Sequence, residues 1–488
     1  MKKIKIIAFL MIICLAFAAC SANDANPNNN QSQAEQSPDS NSEGFTEEST
    51  ESYYDTLGER DFNGDTFTIL DANDHPDLFI NFSEEMIGDP IHDALYERDR
   101  FIEEKYNVKL EYIQIHGGNT GCSTLERAVR AGDDTYDLVV AQAQGSALDR
   151  ISLNNVLHNL TDAPHLSLQS PWWSRLLYEN IQFNSTLYYS GGDIFLSTYS
   201  QAPAAMMFNK RLAQDYEINE DLYKLVFEGK WTLDVFDRIT KDMNIDLNND
   251  GRMTALDDFY GYVGQSNTVT TGFWLAGLGL KFSTVVDNMI NVDLTSPYNL
   301  SRIDKLSNML EKTDYTDQNH IIDITFKGGR ALFLAHCLIS PQLFLRDMED
   351  DFGVLPMPKY DENQAEYVSF MNAWSSGFVG IPMTADIERA SFLMEAMAYA
   401  GHEMLRRPVY DITLKTKAVR DEESERIIDI IIETAYMDIN SVYNFGGSMD
   451  ILRDTVMDKA PFVSAYESRE AAIQIAVERF IETMSDEN

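Results

Sequence analysis

Between residues 66 and 145 short apolar runs alternate with amphipathic stretches, and no other feature narrows the possible folds as far. Residues 66–70 read as a strand that runs into the polar turn Asp71-Ala72-Asn73-Asp74. Asp89 is placed as an N-cap with Pro90 at the first helical position, and Ile91, Leu95, Ile102 and Tyr106 share one stripe that Asn107 ends. Residues 108–115 form a second strand and 125–131 a helix, and 136–141 is a short buried strand opening into Gln142-Ala143-Gln144-Gly145. This β-α-β-α-β order calls for a largely parallel sheet covered on both faces, with ligands beyond the carboxyl ends of its strands. The loops that start at Asp71 and Gln142 are such ends.

The pattern resumes with different spacings. Strands are expected at 186–190, 204–208, 351–358 and 379–382, and helices at about 233–243 and 300–311. The last third is helical, with Phe392, Ala396, Ala400 and Met404 on one stripe and Ile427, Ile431 and Ala435 on another. At 488 residues the chain is too long for one ordinary core. With 78 Asp and Glu against 38 Lys and Arg it carries a formal charge of −40, which repels phosphate backbones and disfavours nucleic-acid binding.

The first residues have the layout of a secretory signal: Lys2, Lys3 and Lys5, then the apolar run 6–17, then Ala18-Ala19-Cys20. The run is too short to span a membrane, and no later one is longer. From Ser21 to about Leu57 the chain is rich in Asn, Gln, Ser, Pro, Asp and Glu and has no Lys or Arg, the composition of an extended acidic tether. Loss of residues 1–19 removes three lysines and takes the charge to −43. Of four cysteines only Cys122 and Cys337 remain for the folded body, and they are read as buried and unpaired.

Phe17-Ala18-Ala19-Cys20 resembles a bacterial lipobox, in which Cys20 would be the lipidated first residue of the mature protein. Several stretches of the body resemble an extracellular solute-binding protein of the carbohydrate ABC-transporter type. They are residues 89–98, Phe208-Asn209-Lys210, Gly229-Lys230-Trp231-Thr232-Leu233, Phe326-Lys327-Gly328-Gly329-Arg330-Ala331 and residues 352–359. The likeness implies an α/β, two-lobe periplasmic-binding-protein-like fold (type II), with lobes joined by two or three hinge strands. Lobe 1 is expected over 58–200 plus 351–398 and lobe 2 over 201–350 plus 399–488, after a signal at 1–19 and a tether at 20–57.

Residues 246–257 fit the twelve-position calcium-loop template: Asp246, Asn248 and Asp250 as direct ligands, Gly251 at the sharp turn, Arg252 through its carbonyl, Thr254 through its hydroxyl or a water and Asp257 closing. The breaking Phe259-Tyr260-Gly261 that follows favours a structural calcium site. For a sugar ligand, whose flat C–H faces pack on indoles, the expected platforms are Trp274 and Trp374; Trp231 is assigned to the core. Asp71, Asn73, Gln142, Tyr199 and Gln201, all beyond expected strand ends, are the polar candidates.

Enzyme motifs are absent. His402-Glu403 has Arg406 where a second zinc-binding histidine would stand, and Gly264-Gln265-Ser266 lacks the closing glycine of a nucleophile elbow. The expectation is therefore a non-catalytic, monomeric, lipid-anchored protein on the outer face of a bacterial cell membrane. It would capture an oligosaccharide by lobe closure and pass it to a permease. The rivals are an exported glycan-active hydrolase and a surface lipoprotein or sensor subunit without a transport role.

Overall fold

The computed structural model describes residues 53–73, 80–199, 203–310, 321–374, 376–406, 408 and 421–485. The signal, Cys20 and all but the last residues of the expected tether lie outside them. That tether was expected to reach Leu57, yet a helix at Tyr53–Leu57 already belongs to the body. Tyr53 and Tyr54 supply enough apolar surface to dock: their rings lie 4.5 Å from Trp172 and 4.7 Å from Tyr399. None of the described helices is long and apolar enough to cross a membrane.

Among the described residues the strands are, in chain order, β1 (Asp65–Asp71), β2 (Val108–Gln114), β3 (Leu138–Gln142), β4 (Ala204–Asn209), β5 (Tyr260–Val263), β6 (Thr284–Val286), β7 (Met289–Asn291), β8 (Ala331–Cys337), β9 (Phe352–Leu355), β10 (Ser369–Phe370), β11 (Gly377–Gly380) and β12 (Ala435–Tyr436). A first sheet has the order β11-β3-β1-β2, parallel except for β11. A second has the order β5-β8-β4-β9; β5 and β8 are parallel, and β4 is antiparallel to both its neighbours. β6 and β7 make a hairpin.

Every residue of β3 and β4 is buried, as is β8 apart from half-buried His336. Such uninterrupted apolar runs are what strands covered on both faces require. The strand expected at 351–358 in lobe 1 pairs instead, as β9, in the second sheet: Met206 stands opposite Leu355 and Asn209 opposite Phe352. A strand as buried as β4 must pair its backbone polar groups along both edges, and β9 supplies the second edge. At 186–190 the chain makes only isolated bridges, Phe183 to Thr186 and Ser190 to Val379, and no regular strand.

The helix Pro90–Tyr106 follows its sequence signals. Asp89 accepts from the N–H groups of Ile91 and His92 at 3.0 and 3.2 Å, and Asn107 closes the far end in the left-handed region. The next helix starts at Gly118, well before the expected 125. Its first turns are glycines because they press on the sheet: a Cβ on Gly118 would sit 2.0 Å from the Gln142 amide, and one on Gly121 2.2 Å from the Ala72 methyl. Cys122 and Cys337 are buried and form no disulfide.

Three chain passages meet between the sheets. Pro203 bridges to Met371, β10 runs parallel to β12, and Met371 donates its N–H to the Tyr436 carbonyl at 2.7 Å. The passages at Pro203 and β10 each lead from an element of one sheet to an element of the other, and β12 pairs with them there.

Glu395, on the helix Ile387–Met404, is fully buried and ringed by donors: the indole N–H of Trp172 at 3.0 Å, that of Trp173 at 2.8 Å, the Tyr53 hydroxyl at 2.8 Å and the Ser167 N–H at 3.2 Å. Burial raises its pKa, and the four donors pull it back. Trp172 and Trp173 are thus pinned into the first sheet's surroundings. Glu395→Ala should cost about 3 kcal/mol or more in urea unfolding, since it strands several buried donors at once, whereas Glu395→Gln should cost less. A loss below about 1 kcal/mol would contradict this role.

Candidate ligand cavity at the strand ends

Residues at or just beyond the carboxyl ends of β3 and of the parallel pair β5 and β8 line one cavity of about 850 Å³. From the first sheet come Gln144, Gly145, Ser146 and Asp149 after β3, with Asn372 and Trp374 ahead of β11. The second sheet contributes Gln265, Asn267, Thr268 and Phe273 after β5 and His336, Cys337 and Ile339 at the end of β8. Val442, Tyr443, Asn444 and Asp450 come from the C-terminal helices.

Trp374 is the most exposed tryptophan, at 45%. Its indole lies on the backbone of Gly145, where a Cβ would come within 2.4 Å of the ring; Gly145 also has a φ of 87°, so two independent constraints reserve that position for glycine. Asn372 fixes the base of the turn by accepting the Trp374 N–H at 3.0 Å. Asn267 caps the helix Thr268–Gly277 through the Thr270 N–H at 2.8 Å and donates to Gln265 at 2.9 Å. Asp450 accepts from Asn444 at 3.0 Å and Thr268 at 3.4 Å. The hydroxyl of fully buried Tyr189 donates a hydrogen bond to the Tyr443 hydroxyl at 3.1 Å.

Burial sets the charge states. It lifts Asp149 to about 6, against the pull of the Ala147 and Ser146 N–H groups. It lowers His336, whose Nδ1 lies 2.5 Å from Ser340 Oγ, to about 4, so the imidazole is neutral at physiological pH. It also pushes the Cys337 thiol up to about 11, which leaves it protonated.

The expected platforms separate. Trp374 lines the cavity, but Trp274 does not: it is fully buried, donates to the Tyr262 hydroxyl at 2.8 Å and packs on Phe236 at 5.0 Å. The segment 270–277 is buried on all sides, the mark of a core helix, and this overrides the polar flanks that suggested a cleft. Trp231 is in the core as expected, bonded to the Pro356 carbonyl at 3.0 Å.

Asp71 lies under the surface, away from the cavity lining, bonded by Asn81 at 2.9 Å and Gln114 at 3.4 Å. Gln142 is buried against Gly118. Half-buried Asn73 accepts the Gly117 N–H through its carbonyl at 3.3 Å, and neither residue is among those lining the cavity. Tyr199 ends a short helix, and Gln201 lies outside the described residues. Gln144 could have been chosen from the same loop as Gln142. Gln265 and Asn267 stand beyond β5 as Gln144 stands beyond β3, so the strand-end rule would have reached them had β5 been recognised; Tyr443, Asn444 and Asp450 have no local signal.

In the loop 246–257, Gly251 has a φ of 79°. Asp246 accepts the Gly251 N–H at 2.8 Å, Asn248 that of Asp250 at 2.9 Å and Asp250 that of Arg252 at 2.8 Å. Thr254 donates its hydroxyl to Asp257 at 3.3 Å, while buried Asp258 accepts the N–H groups of Leu247 and Thr254 at 3.0 and 2.7 Å. Among the described residues no three His, Cys, Asp or Glu gather at metal-binding spacing.

No protein-family profile and no curated protein matches the chain. Solved structures do. An ABC substrate-binding protein from Listeria monocytogenes in complex with cycloalternan superposes with a TM-score of 0.54 at 13% identity, covering 86% of this chain and 99% of that one. MalX from Streptococcus pneumoniae in complex with maltopentaose gives 0.54 at 15%, covering 84% and 99%. UgpB from Mycobacterium tuberculosis in complex with glycerophosphocholine gives 0.55 at 15%, covering 82% and 99%. The chain therefore has the α/β fold of ABC-transporter solute-binding proteins.

Asp71 tests the electrostatics of the first sheet. Burial lifts its pKa from 3.8 to about 6, so the folded state holds the proton that the unfolded state releases between those values. Stability contributed by this group is then lost as pH rises through that window, by up to about 3 kcal/mol. Compared with wild type, Asp71→Asn should gain in urea unfolding between pH 4.5 and pH 7.5; a gap that does not change with pH would refute the assignment.

Proposed function

We propose that this chain is the exported binding component of an ABC transporter and captures an oligosaccharide in the cavity at the strand ends. The observation that carries this reading is the lining itself: an exposed indole, Trp374, beside planar amides and carboxylates contributed from both sheets. An indole offers a flat apolar face to a sugar ring, and the amides and carboxylates suit its hydroxyls. The carbohydrate complexes among the fold relatives support the same class of ligand. The two sheets would act as lobes, with the ribbon of Pro203, β10 and β12 as the hinge. A sugar touching both lobes would favour the closed form by its differential affinity for it, and a permease would recognise that form. The bound sugar leaves unchanged.

Cys20 would carry the lipid and the acidic segment after it would hold the body away from an anionic surface. Cys20→Ala should then shift the protein from the membrane fraction into the medium; unchanged membrane retention would refute the anchor. The loop 246–257 would hold a structural calcium ion through Asp246, Asn248, Asp250, Arg252, Thr254 and Asp257.

Thermal melts against a glycan panel, with calcium or chelator, test both binding claims. A binding glycan should raise the melting point, and chelator should lower it, because each ligand stabilises only the folded state. Trp374→Ala should weaken glycan affinity about tenfold or more. Recovery of shortened oligosaccharide after incubation would turn the reading toward a hydrolase, and a melting point indifferent to chelator would remove the calcium.

A further inference from the structure

We infer that the cavity selects its glycan by charge, holding amine-bearing oligosaccharides more tightly than neutral ones and rejecting those with carboxylate or sulfate groups. The inference rests on the glycan reading above and narrows it. Two carboxylates face the cavity from different walls: Asp149 on the short helix Leu148–Ser152 after β3, and Asp450 on the helix Ser448–Asp458, which packs against the helices of the second sheet. Both are held in place by protein donors. Ala147 N–H bonds Asp149 at 2.7 Å, and Asn444 Nδ2 bonds Asp450 at 3.0 Å.

A carboxylate only accepts, so what these groups ask of a ligand is hydroxyl or ammonium hydrogen. The neighbouring polar groups, Gln144, Gln265 and Asn267 among them, are neutral amides, and the one imidazole, His336, is neutral at physiological pH. Among the described residues lining the cavity there is no Lys or Arg. An acidic sugar entering here would give up its water and meet two like charges, whereas an ammonium would meet two opposite ones. The net charge of −40 adds a long-range field of the same sign.

The test is calorimetric titration of the whole mature protein with tetrasaccharides of three kinds: neutral glucans, glucosamine oligomers and galacturonate or sulfated oligomers, each at low and high salt. Expected are binding by at least one neutral or amine-bearing tetrasaccharide, amine affinity that falls with salt, and acidic affinity at least about tenfold weaker. Asp149→Asn with Asp450→Asn, confirmed folded by its melt, should lose the amine preference and narrow the gap to acidic sugars. Acidic tetrasaccharides bound as well as neutral ones overturn the charge selection and leave the glycan reading standing. So does an amine preference that the double variant keeps. No binding in any of the three classes overturns the glycan reading, and the selection with it.

Discussion

Strands buried on both faces leave little place for polar chemistry except at their ends. β3, β4 and β8 are of that kind, and the consequence runs through the molecule. Side chains that can hydrogen-bond a ligand must wait until the chain leaves the sheet. After β3 they arrive as Gln144 to Asp149, after β5 as Gln265 to Thr268, and at the close of β8 as His336. Because all three exits open on one cavity, two separate sheets build a single site.

Besides the ribbon of Pro203, β10 and β12, the segment 438–443 is bonded to both sides. Asp438 accepts the N–H groups of Phe282 and Ser283 at 2.9 Å each, on the second sheet's side. Ser441 takes Gln144 on its carbonyl at 3.3 Å and Tyr443 takes Tyr189, on the first. A residue that lines the cavity is therefore attached to a strap whose two ends belong to different partners. Tyr443, which lines the cavity, thus belongs to a segment hydrogen-bonded to elements of both sheets.

How far the sequence alone reached follows the same physics. Elements with a local cause were legible: the Asp89 cap, the stripe it opens, and the runs of β1 and β3. Those fixed by distant partners were not. β9 reads like any short strand, and only the open edge of β4 decides its sheet. The start of the helix at Gly118 looks like a loop because its glycines serve contact with Gln142 and Ala72 across the chain. Trp274 and Trp374 have similarly polar or glycine-rich neighbours, and what separates them is whether the rest of the element is apolar all round. Asp71 and Gln142 stand at strand ends as the rule asks, but the residues that line the cavity lie two or more positions further on, past the point where the chain is still packed against the sheet.

The acidic composition has an inside and an outside, and they do different things. On the surface, carboxylates pair with Arg and Lys in exposed positions where each pair is worth little. Inside, a few are surrounded by donors: Glu395 by two indoles, a phenol and an amide, Asp438 by backbone N–H groups, and Asp99 by Arg98 and Tyr112 at 2.6 and 3.0 Å. These buried acids fix loops that the apolar core cannot specify, since a half-satisfied carboxylate in the interior would cost more than the loop's other contacts return. Asp149 and Asp450 stand between the two groups, partly satisfied by the protein and still open to the cavity. A carboxylate in that intermediate position has acceptor capacity left over, and a guest that brings hydrogens in the right places completes it.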